Sequence, residues 1–230
     1  MRPPARSRHF TSAAARFAVL AALVCAGQLA GTGAAVAATL LINVRTADGH
    51  ALPGAVVTVG PLDGQVHHVA PLRAVVDQID RAFAPDLLII PVGSTVEFPN
   101  SDSVSHQIYS FSPTKRFQLP LYRGKPYPPV HFDQAGVVTL GCNIHDFMLA
   151  YLVVTDAPWY GRTDASGAWT TELPHGRYRV ALWHPRLREN DANLQRELTV
   201  AEGERAELTL SLSKPLQPAE LTDRPHSWDY

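Results

Sequence analysis

Cysteine is almost missing from this 230-residue chain, with two residues in all, Cys25 and Cys142. A disulfide framework of the kind that staples small exported domains therefore has too little material. Helical periodicity is just as scarce: no window carries it with caps at both ends, apart from a short turn around residues 186–194. Beyond residues 17–30 no apolar run is long enough to cross a bilayer, so no membrane span is expected after that point. Basic excess is absent too, with twenty Lys and Arg against twenty-one Asp and Glu. That balance excludes the positive face a nucleic-acid duplex requires. No H-E-x-x-H is present, which removes the common zinc-hydrolase class.

What is present begins with a leader. Arg2, Arg6, Arg8 and Arg16 precede the apolar run FAVLAALVCAGQLA and the small-residue stretch AAVAA. Basic, greasy, then small is the order of a secretory signal peptide, and Ala35-Val36-Ala37 is an A-x-A site, so residues 1–37 are expected to be removed. Val24 before Cys25 is too large for a lipoprotein site, and no arginine pair marks the twin-arginine route. The alanine-rich leader points to a bacterial periplasm. Removal takes four basic residues and no acidic ones, leaving sixteen against twenty-one, a net charge of about −5. It also takes Cys25. Cys142 is then a lone thiol in an oxidising compartment and needs another explanation.

After the leader the patterning is of the strand kind. Short or alternating apolar runs occur at LLINV, AVVTV, AVVDQI, DLLII, STVEF, HQIYSF, VVTL, AYLVV, RYRVALW, RELTV and AELTLSL, each bounded by turn residues. Many short strands with frequent turns predict an all-β sandwich architecture. Two blocks share one style of turn. Residues 38–63 carry Asp48, Gly49, Pro53, Gly54, Ala55 and Val57; residues 156–214 carry Thr163, Asp164, Gly167, Leu173, Pro174, Gly176, Tyr178 and Val180. This pattern resembles the carboxypeptidase regulatory-like, transthyretin-like β-sandwich family, and the resemblance implies a small sandwich split by an insertion at 64–155. It implies no peptidase activity. Residues 215–230 form a proline-rich polar tail, either disordered or strapped across the outer sandwich.

Every candidate ligand lies in the insertion. The octapeptide GCNIHDFM places Cys142, His145 and Met148 three residues apart, and His106 opens a strand upstream, after EFPNSDSVS. A fold that packs the start of that strand against the end of VVTLGC would gather His106, Cys142, His145 and Met148. Two imidazoles and a thiolate with a distant thioether form a soft-to-borderline set that suits copper. Structural zinc more often takes two or more cysteines and no methionine.

The same residues carry a second resemblance. Phe83, Pro85, Leu88, Val92, Gly93, Ser94, Val96, Phe98, Asn100 and His106, then Phe132, Gly136, Cys142, His145 and Met148, are similar to the cupredoxin pattern. The short spacing after the cysteine is similar to that of amicyanin, and the whole arrangement with the later WHP resembles plastocyanin-like proteins labelled methylamine-utilisation proteins. Ser105 and Gln107 stand where plastocyanins have proline and asparagine. The resemblance implies a cupredoxin Greek-key β-sandwich, one type 1 copper per chain held by His106, Cys142, His145 and Met148, and one-electron exchange with a redox partner protein. Copper carriage or sensing, and a non-redox interaction protein, are the alternatives from other classes. Enzymatic copper is disfavoured because H-x-H and H-C-H clusters are missing and four protein ligands leave no open position.

Other polar residues get plainer expectations. The ring edge of His145 is expected at the surface, with Ile144 and Phe147 forming an apolar patch around it. Lys115, Arg116, Arg123 and Lys125 gather positive charge, either a solvated face or a docking patch for an acidic partner. The neighbouring His67 and His68 point to opposite faces if they lie on a strand, so a shared metal is not expected there. His131 is expected to cap or pack a loop, and His184 to hydrogen-bond across a turn. His50, His175 and His226 have no partner pattern.

Overall fold

The computed structural model describes residues 37–64, 67, 69–124, 126–188 and 194–219. The expected leader up to residue 36, His68, Lys125, residues 189–193 of the expected turn, and the tail from residue 220, including His226, lie outside the described residues.

Among the described residues there is no α-helix, and the chain is all-β. It opens with β1 (Ala38–Arg45) and β2 (Val56–Pro61). A middle run follows: β3 (Arg73–Val75), β4 (Asp77–Ile79), β5 (Ala82–Ala84), β6 (Leu87–Pro91), β7 (Ser94–Glu97), β8 (His106–Ser110), β9 (Phe117–Tyr122), β10 (Val130–Phe132), β11 (Gly136–Cys142) and β12 (Leu149–Thr155). The chain then returns through β13 (Trp159–Arg162), β14 (Ala168–Leu173), β15 (Gly176–Trp183), β16 (Gln195–Val200) and β17 (Arg205–Ser211).

The first two and last five strands form two sheets, β14-β1-β17 and β13-β2-β15-β16. Strict alternation makes their shared core: Ala38, Leu40, Ile42 and Val44 of β1 are buried with Val57, Val59, Tyr178, Val180 and Leu182. Successive strand side chains point to opposite faces, so one parity of β1 faces inward. The turn residues have mechanical roles. Thr163 Oγ1 donates to Leu52 O at 2.6 Å and accepts from Ala55 N at 3.0 Å, joining β2 to the β13–β14 corner. Gly167 has φ +75° and its Cα lies so close to the β1 edge that a Cβ would sit 2.6 Å from Val44 O. The Tyr178 hydroxyl donates to Pro174 O at 2.7 Å, as tyrosine corners do in β-sandwiches. Of the tail, Gln217 is tied to Arg186 and Leu187 by hydrogen bonds and Leu216 packs on this core, which favours the strap over disorder for that segment.

The middle strands form a five-stranded sheet, β6-β12-β11-β8-β9, a three-stranded sheet, β10-β7-β3, and the hairpin β4-β5. Phe98, Ile108, Phe132, Val138, Leu140 and Leu152 share the core between them. The second half of β12 is buried on both faces. Leu152 and Val154 face this core, while Val153 and Tyr151 meet Val56 and Trp183 of the other sandwich, with the Tyr151 and Trp183 rings 5.2 Å apart.

The run AVVDQI is not one strand. Val76, 1% exposed, lies between β3, which pairs with β7, and β4, which pairs with β5, and its N–H makes the last bond to Glu97 O at 2.9 Å. Strands without a counterpart in the sequence reading, β5, β9, β10, β13 and β14, are all edge strands. An edge strand packs against one neighbour only, so its apolar alternation is weak, and Pro120 within β9 is tolerated for the same reason.

Candidate metal centre

The end of β11 and the start of β8 make one half of the site. Cys142 has the parity of the inward-facing Val138 and Leu140, and His106 has the parity of Ile108. Antiparallel pairing sets Cys142 opposite Ile108, so the His106 side chain lies diagonally across from the thiol. The Cys142 Sγ to His106 Nδ1 distance is 3.8 Å, with both residues buried. Gly141 is required next to the cysteine because the Tyr109 ring covers its outer face, with Cζ 2.7 Å from where a Cβ would stand.

The loop after β11 supplies the other half. Met148 N donates to His145 O at 2.9 Å, closing a tight turn that returns the chain into β12. The turn brings the His145 ring 4.9 Å from that of His106. One ring nitrogen of each histidine and the Cys142 Sγ all lie within 4.8 Å of one another, the single such cluster among the described residues. The Met148 side chain, 2% exposed, lies in the same core cluster as Cys142.

Hydrogen bonding prepares the donors. His106 Nε2 meets Asp102 Oδ2 at 2.9 Å; an ionised carboxylate only accepts, so Nε2 carries a hydrogen, and Nδ1 is the nitrogen that faces the thiol. Burial works against the Asp102 carboxylate, but the His106 ring and the N–H groups of Arg81 and Ser103 outweigh it and hold its pKa at about 2. His145 Nδ1 is buried without a hydrogen-bond partner. Desolvation, then the nearby His106 and Arg81, lower the His145 pKa below its ordinary value and favour the neutral ring. A buried imidazole nitrogen left unpaired is costly unless something occupies its lone pair. The orphaned nitrogen, the second imidazole and the thiol together fit a soft-to-borderline metal ion.

The other histidines do not join the cluster. The His67 ring meets that of Trp159 at a tilt, 4.8 Å between centroids, and His50 lies 3.6 Å from Asp48 at the surface. His131 and His175 are exposed. His184 Nδ1 accepts from Arg186 N at 3.2 Å across a turn, and burial, with Arg186 and Arg162, pushes its pKa to about 4. Of the basic stretch, Lys115 pairs with Asp133 at 3.4 Å. His145 is half-buried beside Ile144, 52% exposed, and a ring contact with Phe147 at 5.7 Å.

Asp102 was not among the residues the sequence singled out. Its only signal is a carboxylate four residues before a histidine that opens a strand. Asn100 fastens the intervening loop, donating to Val104 O at 3.0 Å and Tyr122 O at 2.9 Å and accepting from Asp102 N at 3.0 Å.

Neither a family model nor a curated protein matches the sequence. Solved structures do. A purple cupredoxin from Nitrosopumilus maritimus is 27% identical, covering 36% of this chain and 99% of its own, with a TM-score of 0.33. A copper-containing nitrite reductase from Thermus scotoductus is 27% identical over 41% of this chain and 25% of its own length, TM-score 0.35. A reduced amicyanin variant is 22% identical over 43% of this chain and 99% of its own, TM-score 0.33.

Proposed function

We propose that this chain is a periplasmic type 1 copper protein that carries single electrons between redox partners, with His106, Cys142, His145 and Met148 as ligands. The observation that carries the reading is the convergence of three ligand atoms within 4.8 Å, one of them a lone buried thiol. The donor set favours copper over structural zinc, because one thiolate, two imidazoles and a nearby thioether are the blue-copper complement. Bound copper would supply the chemistry by cycling between Cu(II) and Cu(I).

The protein's part is to hold its donors still. His106 and Cys142 stand on paired strands of one sheet, and the buried Met148 immediately precedes β12, so these donors are fixed before any metal arrives. His145 is the exception, since it sits on the turn and its ring is half-buried. That makes it the port through which electrons enter and leave, with Ile144 and Phe147 as the apolar surface a partner protein meets.

The test is an optical and electron paramagnetic resonance spectrum of the chain loaded with Cu(II). An intense thiolate-to-copper band near the red end of the visible range, with a narrow copper hyperfine splitting, is expected, and Cys142→Ala should abolish both. A spectrum of ordinary tetragonal copper, or a band that survives the substitution, overturns the assignment. A Cu(I) form that surrenders its metal readily to a chelator would instead indicate copper carriage.

A further inference from the structure

We propose that Asp102 tunes the reduction potential of the centre: its carboxylate, seated on the outer nitrogen of His106, makes that imidazole a more negative donor and favours the oxidised metal. The inference rests on the copper reading above and deepens it.

The geometry commits Asp102 to this contact. Its Oδ2 accepts from His106 Nε2 at 2.9 Å and from Arg81 N at 2.7 Å, and its Oδ1 accepts from Ser103 N at 2.6 Å. The His106 side chain is 0% exposed and the Asp102 side chain 7%, so water screens the pair little. A separate element maintains the contact. Asp80 and Arg81 form the two-residue turn of the β4–β5 hairpin with φ of 52° and 59°, the left-handed pair of a type I′ turn that non-glycine residues seldom adopt. That turn aims the Arg81 N–H at the carboxylate. Asp77, at the start of the same hairpin, accepts from Ser101 N at 3.1 Å and Ser101 Oγ at 2.7 Å, fastening the loop from its other side.

The consequence follows from charge. An anion one imidazole away stabilises the dipositive ion more than the monopositive one, so the couple Cu(II) + e⁻ ⇌ Cu(I) shifts toward Cu(II). The electron comes from the redox partner already proposed, and no proton moves at Asp102. Removing the charge should therefore ease reduction.

The experiment uses the full chain loaded with copper, comparing wild type with Asp102→Asn, which is nearly isosteric and can still accept through its amide oxygen. Expected is a retained thiolate-to-copper band, with the Cu(I) to Cu(II) affinity ratio raised tenfold or more, equal to an upward shift of about 59 mV for a one-electron couple. An unchanged potential with an intact band overturns the role of Asp102 and leaves the copper reading standing. Absence of the band in wild type overturns the copper reading, and this inference with it. Should the Asn variant not fold, nitrogen NMR of the copper-free wild-type chain decides the contact: Nε2–H with a bare Nδ1 on His106 is expected, and the opposite tautomer overturns the proposal.

Discussion

Met148 separates a packing role from a ligand role, because two substitutions affect them differently. Its side chain is 2% exposed and shares the core with Cys142, Phe98 and Ile108. Met148→Ala in the copper-free chain should cost about 3 kcal/mol, within the usual span of about 2–5 for a large buried side chain cut to alanine. With a urea dependence of about 2 kcal/mol per molar, the unfolding midpoint should fall by about 1.5 M. Met148→Leu nearly conserves volume and should cost less than about 1.5 kcal/mol. The copper-loaded chains should show the reverse emphasis. Leucine offers no sulfur, so Met148→Leu should shift the reduction potential upward and alter the visible spectrum while the copper-free stability stays close to wild type. Chemical denaturation followed by tryptophan fluorescence, paired with voltammetry, reads both. If Met148→Leu leaves spectrum and potential untouched, the thioether is a core side chain and not a ligand. A midpoint for Met148→Ala within about 0.3 M of wild type would contradict its burial.

Three further outcomes are expected. Asp102 has a folded pKa held at about 2 against 3.8 in the unfolded chain, so its contribution is present above about pH 4 and is lost as pH falls toward 2. Urea midpoints measured across that window should drop more steeply for wild type than for Asp102→Asn, and parallel profiles would refute the contact. Gly167→Ala combines a left-handed backbone with a Cβ driven against Val44 O, a main-chain atom that cannot swing aside; a loss of about 2 kcal/mol or more is expected in thermal unfolding. Tyr151→Ala and Trp183→Ala remove opposite sides of one ring contact between the two sandwiches. Their double-mutant cycle should return a coupling of about 0.5–1.5 kcal/mol, and additivity would show that the sandwiches do not lean on each other there.

Much of the strand content could be read from the chain, for reasons that also explain the gaps. Central strands such as β1, β11 and β15 are covered on a full face, so burial imposes alternation on their residues and the pattern is plain. Edge strands such as β13 and β14 carry weaker alternation, and AVVDQI is split at Val76 because β3 pairs with β7 and β4 with β5, a change of partner that no local pattern encodes. Cys142, His145 and Met148 were legible together because one octapeptide carries all three. His106 could be joined to them only by supposing which strands pair.

Residue chemistry along the chain thus determined an all-β protein and a soft donor set with one thiol in it. Side-chain type and spacing are local properties, and local properties survive in one dimension. Tertiary structure alone decided that His106 Nδ1 stands 3.8 Å from the Cys142 sulfur, that His145 Nδ1 is left bare, and that Asp102 leans on the far side of the His106 ring. The first of those depends on register between strands distant in sequence. Where two strands pair, a slip of a single residue would turn the histidine to the opposite face and leave the thiol among hydrocarbon.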